Sequence, residues 1–328
     1  FHTGTVAALA GGVTAVLDMP NNFPPITDGE ALRRKAEIAS RKAVCDFGLY
    51  LGATDDNAAR CVELSRQAAG LKIYLGRTYG PLRVSSLASL LSHFRHWPAA
   101  KPIAVHAEGP TVACVIALSW IYDRPAHICH VSRRAEIELI RAAKEKGAKI
   151  TCEVTPHHLF LTEADRGRLG GFAHVKPPLG TEADRAALWA NLDAVDIIAS
   201  DHAPHTTSEK RGPAPPPGVP GLETTLPLLL TAVADGRLTP ERLVELMHLN
   251  PIRIFGLNPP EGTRVEVDLD AEYILTASEL KAKCGWTPFE GMKVRGRIRR
   301  VYLRGAKVFE DGEVLVPAGF GRPLRFSA

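Results

Sequence analysis

No segment of this sequence approaches the ~18 uninterrupted apolar residues that a membrane-spanning helix needs. No signal peptide opens it. No CxxC pair occurs among its six cysteines, and Cys45, Cys129 and Cys152 lie in apolar, strand-like runs. That pattern reads as reduced core thiols of an intracellular, cytoplasmic protein. Long basic runs are missing too, since the net charge of +4 is spread along the chain. The nearest cluster, Arg295, Arg297, Arg299 and Arg300, mostly alternates along an expected strand as a solvated face, which gives nucleic-acid binding little support. No internal repeat is evident, and the one low-complexity patch is the Pro-rich loop 213–220. An initiating methionine is also lacking: residue 1 is Phe1 and the first methionine is Met19, so further residues are expected upstream.

What is present suits a soluble globular protein: 328 residues, 23% charged and 45% hydrophobic, enough for one large domain and a small appendage. Short β-branched runs alternate with amphipathic stretches. Strands are expected at Thr14–Asp18, Asp46–Leu51, Leu71–Leu75, Ile103–His106, His127–Val131, Ile150–Thr155 and Ile197–Asp201. Helices are expected between most of them, then at about 222–235 and 240–249. This repetition argues for a parallel sheet covered by helices. Seven strands suit an open doubly wound sheet or a (β/α)₈ barrel short of one strand. The opening TGTVAALAGG favours the barrel, because it reads as the helix after an absent first strand. Beyond about residue 255 the texture changes to short alternating segments, part of a small β domain.

Residues able to hold metal stand at the C-terminal ends of four expected strands, where barrel enzymes build their sites. They are Lys72 in GLKIYL, His106 in IAVHAE, His130 in HICHV and Asp201 in IIASDHAPH. Each alone has an ordinary reading. A strand-end histidine is often a hydrogen-bonded structural residue, and Lys72 can snorkel to a rim, although an unpaired buried ammonium is costly. Four on four strands point to a shared site. Imidazole and carboxylate suit borderline divalent ions such as zinc. A lysine amine converted to a carbamate becomes a two-oxygen anion able to bridge two ions, whose shared hydroxide would be nucleophilic near neutral pH. Asp201 is placed to shuttle its proton.

These residues resemble the amidohydrolase superfamily, and the words DMPNNFPP, SDHAPHT and PGLET resemble dihydroorotase. GLKIYL, HICHV, CEVTPHHLFL, PPPGVPGLETTLPLLLTAV and WTPFEGMKV are most similar to the dihydroorotase domain of the multifunctional animal pyrimidine-synthesis polypeptide. The resemblance covers essentially the whole chain. It implies a TIM-like (β/α)₈ amidohydrolase barrel lacking its first strand in residues 1–255, carrying strands 2–8. Residues 256–328 would be the C-terminal β segment of a small composite domain. The implied activity is zinc-dependent, reversible cyclisation of N-carbamoyl-L-aspartate to dihydroorotate. The implied assembly is a homodimer fused to carbamoyl-phosphate synthetase and aspartate transcarbamoylase domains.

Residue by residue, the resemblance makes Lys72 a carboxylated bridging ligand. His106 and His130 would hold one zinc, and Asp201 would hold the other while acting as general acid and base. Cys129 and Glu153 match a third zinc position, or are a buried thiol and a paired strand carboxylate. Asn21, Lys176, His205 and Pro217 match substrate contacts. Read without the resemblance, Asn21 is a turn residue beside Pro20, His205 a loop histidine and Lys176 an exposed loop lysine. Thr78 and Tyr79 fall in a loop that closes over substrate, or in a surface turn.

Two departures stand out. The His-x-His word of the family's first strand, with its following arginine, does not occur, and His2 has no partner two residues away. The polypeptide as it stands is therefore expected to lack activity, and a version extended upstream to have it. Lys176 stands where the animal-type domain has arginine, keeping the charge but losing bidentate geometry. The competing readings are a hydantoinase or allantoinase, opposed by DMPNNFPP and SDHAPHT, and a non-catalytic dihydroorotase-like domain. The retained Lys72, His106, His130 and Asp201 weigh against the latter, and the missing word weighs for it.

Overall fold

In the computed structural model, which describes residues 1–324 and 326, the apolar runs form short parallel strands. They are β1 (Ala15–Asp18), β2 (Asp46–Leu49), β3 (Leu51–Gly52), β4 (Leu71–Tyr74), β5 (Ile103–His106), β6 (Ala126–Ile128), β7 (Ile150–Val154) and β8 (Ile197–Ile198). Every residue of β2, β4 and β5 is buried, as expected when helices cover one face of a sheet and barrel side chains fill the other. β2 and β3 are one strand interrupted at Tyr50, whose N–H donates to the Asp18 carbonyl at 3.0 Å. Seven barrel strands result, in unbroken sequence order. A doubly wound sheet would reverse its order part-way, so this order belongs to a barrel wall. Among the described residues no pairing joins β1 to β8.

Local chemistry sets the helix ends. Asp28 caps Gly29–Lys42 by accepting from the Ala31 amide, and Arg41 and Lys42 face the negative end of the dipole. Arg134–Glu145 buries Ile137, Ile140 and Ala143 at helical spacing. The helix expected over 240–249 is not uniform. Pro240–Val244 is α-helical, Glu245–Leu249 is a π-helical turn, and Asn250–Phe255 is α-helical again. The wider turn comes just before Pro251, which has no N–H to give to the preceding turn. Among the described residues no helix is long and apolar enough to cross a membrane.

The C-terminal segments form an antiparallel sheet of β9 (Arg264–Ile274), β10 (Lys293–Leu303), β11 (Ala306–Glu310) and β12 (Glu313–Val314), ordered β12-β11-β10-β9. β10 turns Val294, Ile298, Val301 and Leu303 inward. Gly296, at φ +83°, lets β10 press on helix Leu222–Ala234: a Cβ there would lie 2.4 Å from a Leu230 methyl. The arginines of β10 are paired rather than free, Arg295 with Glu272, Arg299 with Asp268, and Arg300 with Glu266 and Glu310. The turn between β10 and β11 and the segment after β12 both reach the barrel. Arg304 Nη1 of that turn contacts both oxygens of buried Asp46 at 2.5 and 2.7 Å, and the Arg322 amide donates to the same carboxylate.

Candidate active site

β4 carries Lys72 inward, 2% exposed, where its Nζ donates to Cys129 Sγ at 2.8 Å and lies 5.2 Å from the Tyr74 ring centroid. β5 ends on His106. His130 and Asp201 were expected within strands, but β6 stops at Ile128 and β8 at Ile198. Both residues instead turn off the strand ends in left-handed backbone, at φ +38° and +41°. Non-glycine residues rarely hold that conformation, and it concentrates at functional sites.

The two imidazoles converge. His106 Nδ1 and His130 Nε2 are 2.9 Å apart, and His130 Nδ1 is buried without a partner. Burial lowers the pKa of both rings, His130 well below the ordinary histidine value. Neutral imidazole is the form that binds metal. The tautomer of His106 is fixed from behind, because its Nε2 meets Glu108 Oε1 at 2.8 Å and must donate to it. Burial, reinforced by the charge of Glu153 and opposed by Lys72, pushes the Asp201 carboxyl up to about 6.

Beside this group His127, Cys129 and Glu153 place one ligand atom each within 4.8 Å of one another, all buried. His127 Nε2 meets Glu153 Oε2 at 3.0 Å, and Nδ1 meets Thr151 Oγ1 at 2.9 Å. Burial alone would raise the Glu153 carboxyl, but His127 and Lys72 outweigh it and hold it below its ordinary range. Burial pushes the Cys129 thiol up to about 12, a cost that a bound cation would reverse. Nitrogen, sulfur and oxygen donors together fit a borderline divalent ion. His127 was missed in the sequence, although its spacing of two from Cys129 puts both on one face of the strand expected over His127–Val131. Glu108 was missed as well, two residues after His106.

A cleft of about 1800 Å³ opens at the strand ends and continues along the gap between β1 and β8. Eleven of the twelve residues singled out in the sequence line it, and Cys129 lies behind the wall. Lys176 reaches in by pairing with Glu108 Oε2 at 2.9 Å. The Asn21 side-chain amide donates to the Tyr79 carbonyl at 3.1 Å, and the Tyr79 ring stands edge-on 5.0 Å from His205. His205 Nε2 lies 3.1 Å from the Pro217 carbonyl, so the proton sits on that nitrogen. The Thr78 hydroxyl is buried without a partner.

No family model matches the chain. It is 52% identical to the multifunctional protein CAD of Squalus acanthias, over 99% of the chain but 14% of that protein's length. It is 37% identical to the dihydroorotase of Pyrococcus furiosus, over 96% of the chain and 77% of that protein. The chain belongs to the dihydroorotase family. Its place there agrees with the architecture expected from the sequence, a TIM-like amidohydrolase barrel with a small antiparallel sheet. Among solved structures, this dihydroorotase-family chain is similar to the L-hydantoinase of Arthrobacter aurescens. That match has a TM-score of 0.93 and 28% identity, and covers 99% of the chain and 83% of the other. It is also similar to the inactive dihydroorotase-like domain of a CAD-like multifunctional protein from Chaetomium thermophilum. There the TM-score is 0.84 with 29% identity, covering 98% and 91%. Dihydroorotases and hydantoinases are metal-dependent cyclic amidohydrolases, and the donors gathered here fit such a metal.

Proposed function

We propose that this chain is the dihydroorotase unit of its protein, interconverting N-carbamoyl-L-aspartate and dihydroorotate. The observation that carries the reading is one cleft lined by Lys72 from within β4 and by His106, His130 and Asp201 from the strand ends, in a chain 37% identical to a dihydroorotase. Lys72 as its carbamate, His106, His130 and Asp201 would hold two zinc ions, and Cys129 and Glu153 a third. Bound zinc supplies polarisation of the ring carbonyl and an acidified water. Hydrolysis adds a water oxygen to the carbonyl carbon, breaks the ring C–N bond and delivers a proton to nitrogen. Asp201, at the mouth of the strand ends, carries the proton. In cyclisation the same carboxyl runs the steps in reverse. Lys176, Asn21, His205 and Pro217 are the substrate side of the cleft, and Thr78 and Tyr79 its cover.

The alignment with 14% of the Squalus acanthias protein supports a place within a longer multifunctional polypeptide. On this reading the unit is joined to carbamoyl-phosphate synthetase and aspartate transcarbamoylase domains, homodimeric and cytoplasmic. Likeness to the Chaetomium domain favours a second reading, a dihydroorotase-like unit without turnover. Assaying the full-length protein with dihydroorotate, dihydrouracil and allantoin separates them. Turnover of dihydroorotate above the other two, lost on chelation and restored by zinc, is expected. Preference for dihydrouracil or allantoin would move the chain to the hydantoinase-type chemistry, and no turnover of any would favour the second reading.

A further inference from the structure

The word WTPFEGMKV contributes nothing to the floor of the cleft, yet it grips the cleft's rim. Trp286 is buried, and its Nε1–H donates to the carbonyl of His205 at 2.7 Å. Its ring centroid lies 5.5 Å from Lys210 Nζ. Lys210 is 1% exposed, and its ammonium donates to three carbonyls, those of His174 and Pro216 at 2.9 Å and Gly218 at 3.0 Å. An apolar side chain there would leave the Pro216 and Gly218 carbonyls without a donor, while that of His174 keeps the Gly218 amide. Pro217 sits between two of those carbonyls, and its own accepts from His205. Gly218 packs so tightly that a Cβ would come within 2.4 Å of the Ala203 carbonyl oxygen. The strap leading to Trp286 is itself anchored, since buried Glu223 accepts from the Lys281 and Ala282 amides at 2.7 and 2.8 Å. A segment of the small β region is thus fixed to the barrel at one end and to the 203–218 loop at the other.

We propose that Lys210 and Trp286 are positioning residues for substrate, holding the 203–218 loop so that His205 and Pro217 stand at the cleft mouth. The identity of that substrate rests on the dihydroorotase reading. The test uses Trp286→Phe, which keeps an aromatic ring and removes the donor, and Lys210→Met, which keeps a side chain of similar length and removes the charge. In the full-length protein each variant is expected to raise KM for dihydroorotate about fivefold, the scale of one lost net hydrogen bond. The kcat and zinc per chain should stay within about twofold, because neither residue touches the strand ends. Amide hydrogen exchange over 203–218 should quicken while that of β4 and β5 does not. Unchanged loop exchange in both variants overturns the proposal, as does quickened exchange with KM unmoved. If only one variant folds, its result decides. A parent protein that does not turn over dihydroorotate defeats the functional reading instead, and the exchange measurement then judges the loop alone.

Discussion

Replacing Lys72 by alanine is expected to lower zinc per chain and dihydroorotate turnover together, because the side chain is buried against a thiol rather than a carboxylate. Full zinc occupancy in Lys72→Ala, read by metal analysis, would contradict a ligand role. Lys72, His106, His130 and Asp201 were legible because each interrupts an apolar run with a polar group, a cost that needs a reason. Lys210 and Glu108 were not legible. Each has a partner far along the chain, the His174 carbonyl 36 residues from Lys210 and the Lys176 ammonium 68 residues from Glu108, and no spacing in the sequence encodes those contacts. His127 lies between these cases: its partner Cys129 is two residues away, but the carboxylate that explains it comes from the next strand.

Among the elements, helices Arg134–Glu145 and Glu182–Ala190 share one carboxylate. Asp184 Oδ1 accepts from the Arg134 amide, and Oδ2 from the Thr181 amide and hydroxyl and from Arg133. Its partial burial would raise the carboxyl, but the hydrogen bonds from Arg134, Thr181 and Arg133 outweigh it and hold it at about 2. A carboxyl lower in the folded than in the unfolded state stabilises above its unfolded pKa and loses that contribution as pH falls through its folded one. Asp184→Ala should therefore cost about 1–2 kcal/mol near neutral pH, the scale of a helix cap. The gap from the parent should close between roughly pH 4 and 2. Urea unfolding at several pH values checks it, and a pH-independent gap would refute the assignment. Strand order was legible because two-sided burial writes continuous apolar runs. Strand length was less so, as at β8, where only Ile197–Ile198 pair before the backbone turns to present Asp201. The π-helical turn at 245–249 was not legible, since its residues keep ordinary helical spacing.

At the scale of the whole molecule, the small sheet and the barrel are bound through Asp46 and Arg304, whose side chains are 4% and 16% exposed. Arg304→Ala leaves a buried carboxylate without its cation, and a loss of about 3–5 kcal/mol is expected. Thermal unfolding measures it; a shift equal to that of an exposed arginine such as Arg295→Ala would show that the pair adds little. The Asp46–Arg304 contact was not legible, because nothing local to Asp46 announces a partner so distant. The two residues stand 258 positions apart. At ~5–20 residues per second of synthesis, a ribosome that has just made Asp46 needs about 13–52 s to reach Arg304. For that interval the nascent barrel carries an acid waiting for its base, so the newborn chain must keep the outer end of β2 wet, loose or guarded by a chaperone until translation delivers the arginine.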